Sequence, residues 1–254
     1  MSAASRRQRA IDELRPYIER ARGFSGWTFE DVRIRRLGPP LPWDYEAIAR
    51  EQAAGATSMV DLGTGGGERL AGIIDGVRGR VVATEEWEVN APVARDRLRP
   101  LGGQVVRADS LRLPFAGAAF DLVLDRHEAL DPAEVARVLR PGGRVVTQQC
   151  GPHDWPELSR YLPMVEFPDH YRAYQEGFGA AGLVVEEARW HEERVAFETL
   201  GDLVYMLLLM PWSLPAFDPV AQIDALLGIE EELGTDDGIV VTEVRYLIQA
   251  RKPA

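Results

Sequence analysis

The chain has 254 residues, of which 46% are hydrophobic and 27% are charged, and its formal net charge is −11. This composition is typical of a globular protein. The negative charge repels polyphosphate, so a nucleic-acid partner is not expected. Cys150 is the single cysteine, which excludes an internal disulfide and a multi-cysteine metal site and predicts a cytoplasmic protein without a bound metal.

The first part of the chain is predicted to be helical. Residues 5–22 carry apolar side chains at helical spacing. A second helix is predicted to begin after Asp44, because aspartate is a favoured residue at helix N-termini. We therefore expect residues 1–56 to form a helical cover over one end of the domain that follows.

From residue 57 onward, short β-rich runs alternate with helical segments. Such alternation indicates right-handed βαβ units and a parallel sheet covered on both faces. Two later strands, at 183–197 and 243–252, are expected to pair at one edge of the sheet. The predicted core comprises 57–199 and 239–254, and the Leu-, Met- and Trp-rich segment 200–238 is predicted to be a helical lid inserted before the last strand.

The most apolar segment of the chain, at 203–212, contains Pro211 and is too short to span a bilayer. The basic N-terminus lacks the apolar stretch of a signal peptide. We therefore expect no contact with a membrane. Neither the apolar segment nor the basic N-terminus indicates an oligomeric state.

The first β-rich run ends in a turn that is unusually rich in glycine, with Gly63, Gly65, Gly66 and Gly67 in the sequence DLGTGGGE. In open α/β sheets, ligands bind beyond the carboxyl ends of the strands. A turn without side chains lets a ligand approach the backbone N–H groups at the start of the next helix. Asp61 ends the strand and can meet an ammonium group, which S-adenosylmethionine has and a dinucleotide lacks. Glu68 replaces the third glycine of a dinucleotide-binding turn.

The second and third strands also end in acidic residues. Glu85 can accept both hydroxyls of a ribose, and the adjacent Glu86 is the alternative. Trp87 can lie against an adenine ring. After the third strand, Asp109 can accept a hydrogen bond from the adenine amino group or can instead cap a turn beside Ser110.

Together these motifs resemble the class I S-adenosylmethionine-dependent methyltransferase family. The resemblance rests on VDLGTGGGE at 60–68, VVATEE at 81–86, ADSLRLPFAGAAFDLVL at 108–124 and VARVLRPGGRVVTQQ at 135–149. It implies an α/β fold with a doubly wound, Rossmann-like, seven-stranded sheet whose last strand is antiparallel. It also implies S-adenosylmethionine as the cofactor, bound by Asp61, Gly63, Thr64, Gly65, Gly67, Glu85, Glu86, Trp87, Asp109, Ser110 and Asp125.

The loop after the fourth strand, with the sequence DRHEALDP, is expected beside the reacting sulfonium. Methyl transfer requires alignment and exclusion of water, and it requires a base only where the acceptor loses a proton. His127 is the candidate base, with a plain hydrogen bond to a neighbouring loop as the alternative. Arg126 is the second candidate and can pair with Glu128 or with a polar group of the substrate.

The prediction is O-, N- or C-methylation of a small molecule, because apolar side chains of the segment 200–238 can line a pocket. By resemblance, the absence of an Asn-Pro-Pro-Tyr-like run after the fourth strand argues against methylation of base amines. Two alternatives remain. One is an NAD(P)-dependent oxidoreductase, and the other is a protein that binds S-adenosylmethionine without transferring its methyl group.

Overall fold

The computed structural model describes residues 3–29, 32–152 and 154–254. His153, for which the sequence predicts a loop position, lies outside them. The helices are α1 (Ala3–Arg22), α2 (Tyr45–Ala54), α3 (Glu68–Ile73), α4 (Asn90–Leu98), α5 (Pro132–Val138), α6 (His170–Ala180), α7 (Leu200–Leu208) and α8 (Ile223–Leu233). The strands are β1 (Ile34–Arg36), β2 (Ser58–Leu62), β3 (Arg80–Thr84), β4 (Gly103–Val106), β5 (Phe120–Arg126), β6 (Leu139–Cys150), β7 (Val184–Phe197), β8 (Gly234–Thr235) and β9 (Gly238–Arg251).

The strands form one sheet in the order β1-β7-β9-β6-β5-β2-β3-β4, with β8 paired to β9. Strands β2 to β6 pair in parallel, whereas β9 runs antiparallel to both β6 and β7. The doubly wound sheet of seven strands, with its last strand antiparallel, is confirmed. Strands β1 and β8 are additional, and they are too short to show a periodicity in the sequence.

The two late strands pair with each other at one end of the sheet, as predicted. Strand β9 inserts between β6 and β7, so β7 lies outside it and the short β1 covers β7. A central position for β9 agrees with its sequence, since most of its side chains are buried on both faces of the sheet.

Apolar side chains cover the sheet on both faces. One face packs on α5 and α6 around Phe120, Phe178 and Tyr246. The other packs on α2, α3 and α4 around Met59, Leu70 and Leu98. Helix α2 begins where predicted, because the Asp44 side chain accepts a hydrogen bond from the Ala47 N–H at 3.0 Å.

A third cluster joins the N-terminal helix to the segment 200–238. Strand β6 pairs only with the second half of β9, so the first half of β9 and the end of β7 extend past it. Helices α1, α7 and α8 pack on this extension, with Leu14, Leu203 and Leu226 in their common core. They form a helical layer beside the carboxyl ends of the parallel strands. No helix among the described residues is long and apolar enough to cross a membrane.

Candidate functional site

The glycine-rich turn between β2 and α3 requires glycine for two reasons. Gly63, Gly65 and Gly67 have φ angles of +58°, +62° and +77°, a backbone conformation that residues with a side chain rarely adopt. Space is also lacking: a Cβ on Gly63 would overlap the Glu128 carboxylate, and one on Gly65 would lie 2.8 Å from the Trp27 Cβ. The glycines of the turn are therefore in close contact with neighbouring segments, and they present no side chain to the cleft.

The end of β3 holds this turn in place through backbone hydrogen bonds. The Glu85 carboxylate accepts from the Gly65 N–H at 2.7 Å and from the Trp87 N–H at 2.8 Å. Thr84 accepts from the Thr64 N–H at 2.9 Å. Glu85 thus faces the turn, whereas Glu86 and Trp87 are exposed. Each carboxylate oxygen of Glu85 keeps a lone pair with which it can accept a further hydrogen bond.

The remaining predicted cofactor residues lie at the ends of β4 and β5. Asp109 accepts from the Leu111 N–H at 2.7 Å, so it caps a turn as the alternative prediction has it. Ser110 is buried, with its hydroxyl 3.5 Å from that of Thr84. Asp125 is fully buried and accepts from the hydroxyl of Thr147 and the side-chain amide of Gln149, each at 2.6 Å.

Several buried carboxyl groups meet around the turn. Burial raises the pKa of Asp61 to about 7, and the charge of Glu85 adds to this increase. Burial also raises the pKa of Glu128 to about 7 and that of Asp125 well above its ordinary value. A carboxyl group without a counter-charge in such a place retains a proton. A cationic ligand in the cleft would supply that charge and favour ionisation.

Strand β5 ends at Arg126, which lines the cleft, and His127 follows it in the loop. Arg126 lines the cleft together with Asp61, Tyr45 and Trp27. His127 has a φ of +62° and donates its backbone N–H to the Gln148 carbonyl oxygen at 2.8 Å. Its Nε2 lies 3.2 Å from the side-chain nitrogen of Gln148.

Burial, reinforced by the charge of Arg126, lowers the pKa of His127 well below its ordinary value. The imidazole is therefore neutral at physiological pH. Because the Gln148 side-chain oxygen accepts from the Trp43 Nε1–H at 2.7 Å, its amide nitrogen donates to the Nε2 lone pair of His127.

An aromatic cover, formed by Phe24, Trp27, Phe29, Tyr205 and Trp212, reaches the cleft through Trp27. Gly26 fastens its N-terminal part to α4, because its N–H donates to the Asn90 side-chain oxygen at 2.7 Å. The rings of Trp27 and Trp212 are 5.9 Å apart, and those of Phe24 and Tyr205 are 6.4 Å apart. The N-terminal segment and the segment 200–238 thus meet above the glycine-rich turn.

Sequence reasoning missed Trp27, although three aromatic residues surround Gly26 in FSGWTF at 24–29. For Tyr45 the sequence favours plain packing, with a position over the cofactor as the alternative. For Glu128 it predicts a pair with Arg126 or with a polar group of the substrate. In the structure Arg126 has no ion pair with Glu128 among the described residues, and Glu128 instead lies on Gly63.

Residues 60–147 match the family model of the methyltransferase domain. This segment contains β2 to β6 almost entirely, and with them the glycine-rich turn and the acidic residues beside it. The match lies within the segment that resembles the class I S-adenosylmethionine-dependent methyltransferases. No curated protein matches the sequence.

Solved structures share this fold at low sequence identity. A candidate methyltransferase from Bacillus halodurans C-125 is 19% identical, with a TM-score of 0.58 over 82% of this chain and 99% of that one. A functionally unknown protein from Deinococcus radiodurans R1 is 18% identical, with a TM-score of 0.60 over 96% and 99%. The [4+2]-cyclase SpnF is 16% identical, with a TM-score of 0.59 over 97% and 95%. These similarities concern the fold.

Proposed function

We propose that this protein transfers the methyl group of S-adenosylmethionine to an oxygen, nitrogen or carbon atom of a small molecule in the cytoplasm. The observation that carries the proposal is the glycine-rich turn backed by Asp61, a buried carboxyl group that makes no ion pair among the described residues and has a raised pKa. A ligand with an ammonium group fits this arrangement, and a pyrophosphate would face repulsion from Asp61, Glu85 and Glu128. The same repulsion disfavours an NAD(P)-dependent oxidoreductase, whose cofactor contains a pyrophosphate.

The residues present fit the cofactor from one end to the other. Asp61 would bind the ammonium group, and the glycines of the turn would let its backbone lie along the amino-acid part. Glu85 would bind the ribose with the lone pairs that the Gly65 and Trp87 N–H groups leave free. Asp109 and Ser110 would lie near the adenine, which exposed Trp87 could cover. When bound, the cofactor supplies a methyl group activated by the sulfonium charge.

The aromatic cover favours a small acceptor. Trp27 rests on Gly65 and contacts Trp212, so two segments close the cleft where the acceptor must enter. Apolar rings in this place would exclude water from the reacting atoms. A long polymer would have to displace both segments. We therefore assign the segment 200–238, together with 24–29, to a lid over the acceptor.

Ligand binding tests the proposal directly. We expect calorimetry to detect S-adenosylhomocysteine binding in the micromolar range or tighter and no binding of NAD⁺ or NADP⁺. Incubation with methyl-labelled S-adenosylmethionine and a metabolite extract should then yield small products that have gained one labelled methyl group. NAD⁺ binding without S-adenosylhomocysteine binding would reject the proposal.

A second candidate function keeps the cofactor and omits the transfer. The structural similarity to a [4+2]-cyclase shows that this fold is also found in a protein named for another reaction. Cofactor consumption distinguishes the two functions, because a methyltransferase releases one S-adenosylhomocysteine for each product. Substrate turnover with the S-adenosylmethionine left intact would favour this second function.

For an acceptor that must lose a proton, we propose His127 as the general base. Replacing His127 with Ala should lower the rate about 100-fold, which is typical for loss of a general base. Its pKa is well below the ordinary value, so the wild-type rate should already be constant with pH above about pH 6.5. The pH dependence of the single-turnover rate measures this.

The control for His127 is Glu128, the other titrating group of the loop. A base with a pKa of about 7 would give a rate that rises with pH through neutrality. If wild type shows such a rise, and the His127→Ala variant keeps it while Glu128→Gln loses it, then Glu128 is the base and His127 only supports the loop.

A further inference from the structure

The guanidinium group of Arg126 lies in the cleft that Asp61 also lines, and its charge favours the ionised form of Asp61. Among the described residues, Arg126 makes no hydrogen bond or ion pair. The neighbouring arginines are paired: Arg69 with Glu46, Arg97 with Glu68 and Arg245 with Asp154. Burial lowers the pKa of Arg126 to about 10, so the group remains charged at neutral pH. A mostly buried charge of this kind calls for an anionic partner.

Tyr45 provides a second unused donor in the same cleft. Its side chain is 5% exposed, and its hydroxyl is buried without a hydrogen-bond partner. Both Tyr45 and Arg126 line the cleft beside Asp61. A guanidinium and a phenol hydroxyl that face one space are a donor set suited to the oxygens of a carboxylate.

The position of Arg126 in the sheet indicates which molecule carries that carboxylate. Strand β5 lies between β2 and β6, and Arg126 pairs with Gln148 of β6. Glu85, at the end of β3, is on the opposite side of the glycine-rich turn. If the nucleoside occupies the β3 and β4 side, as the proposed function requires, Arg126 lies on the side that remains for the acceptor.

We propose that Arg126 and Tyr45 form a carboxylate-binding subsite, so that the methyl acceptor is a carboxylic acid held by its carboxylate. Arg126 binds the carboxylate as an ion pair, and the Tyr45 hydroxyl donates a further hydrogen bond. The apolar surface of Trp27 lies beside them in the cleft. The acceptor is therefore a small acid with an apolar or aromatic body. This inference rests on the proposed function.

The test uses the S-adenosylhomocysteine complex of the full chain, with benzoate and benzamide as probes in ligand-detected NMR. We expect benzoate to bind about ten-fold more tightly than benzamide, because only the carboxylate carries charge. Arg126→Met should abolish this preference, and Arg126→Lys should keep part of it. Equal binding of the two probes by wild type, or a preference that survives in Arg126→Met, would overturn the inference.

Tyr45→Phe tests the subsite without disturbing a charge. It should weaken benzoate binding several-fold and leave thermal stability unchanged or slightly higher, because the hydroxyl has no partner to lose. Tyr246→Phe is the matched control, since the Tyr246 hydroxyl is also buried without a partner but packs on the other face of the sheet. Equal benzoate affinity in all three proteins would remove Tyr45 from the subsite.

The cofactor also has a carboxylate, to which Arg126 could bind in place of the acceptor. A further pair of probes distinguishes these two carboxylates. S-adenosylhomocysteine carries that carboxylate, whereas methylthioadenosine lacks the amino-acid part. We expect Arg126→Met to bind both as wild type does. If it loses affinity for S-adenosylhomocysteine alone, Arg126 binds the cofactor and the acceptor assignment is wrong. If wild-type protein binds neither compound, the proposed function itself fails.

Discussion

Replacing Asp61 with Asn is expected to weaken cofactor binding about 100-fold while making the unliganded protein more stable at neutral and alkaline pH. The carboxyl group stands at the carboxyl end of β2, is 8% exposed and makes no ion pair among the described residues, although the charge of Arg126 partly favours its ionised form. Burial raises its pKa to about 7 from an ordinary value of 3.8. An amide of the same shape carries no charge and therefore escapes this cost.

The sign of the stability effect follows from proton linkage. Below about pH 4, Asp61 is protonated in both the folded and the unfolded chain, and it has no cost. As pH rises to about 7, the unfolded chain ionises and the folded chain does not, so the wild type loses stability progressively. The gain from Asp61→Asn should therefore be absent near pH 4 and reach on the order of 3 kcal/mol near pH 8. Urea unfolding at the two pH values measures it.

Asp121→Asn is the control, because we expect it to change the free energy of unfolding in the opposite direction. Although burial opposes the change, hydrogen bonds from Thr57 and Ser58 lower the pKa of Asp121. Its contribution to stability is present above the unfolded pKa and is lost as pH falls, so Asp121→Asn should destabilise the protein at neutral pH. If both variants shift stability in the same direction, the assignment of the Asp61 pKa is wrong.

The binding effect of Asp61→Asn should be large. An ammonium group held by a buried carboxylate loses an ion pair in the variant, and we expect S-adenosylhomocysteine affinity to fall about 100-fold. In wild type, binding should release protons near pH 7 because the ligand favours the ionised carboxylate. Calorimetry in buffers of different ionisation enthalpy detects this release. Wild-type affinity in Asp61→Asn would contradict the site assignment.

Gly65→Ala is the second variant with a large expected effect. Gly65 has a φ of +62°, and an added Cβ would lie 2.8 Å from the Cβ of Trp27. The side chain would distort the turn whose N–H binds Glu85. We expect S-adenosylhomocysteine affinity to fall about 100-fold and stability to fall by roughly 1–2 kcal/mol, the usual cost of a left-handed alanine.

Gly76→Ala separates backbone strain from damage to the site. Gly76 has a φ of +79°, similar to that of Gly65, but an added Cβ would meet open space. Its substitution should therefore cost stability by a comparable amount and leave ligand binding at the wild-type level. Calorimetry and thermal unfolding of both variants provide the comparison. Equal affinities in the two variants would mean that the turn at Gly65 does not contact the ligand.

Much of the fold could be predicted from local patterns. The alternation of β-rich runs and helical segments predicted the parallel strands, because a buried parallel strand needs a continuous apolar run. The Asp44 cap of α2 was predicted because a cap depends on residues three positions apart. Strand β1 escaped prediction because its partner β7 is distant in the chain, and β8 escaped prediction because it has only two residues.

The same division applies to the candidate site. Short motifs of fixed spacing predicted the glycine-rich turn, the acidic strand ends and the resemblance to a methyltransferase family. No such motif predicted that Trp27 lies on Gly65, that Glu128 lies on Gly63 or that Arg126 makes no ion pair with a described residue. These facts depend on contacts between segments far apart in the chain. The packing of the whole molecule determines such contacts, and no local pattern records them.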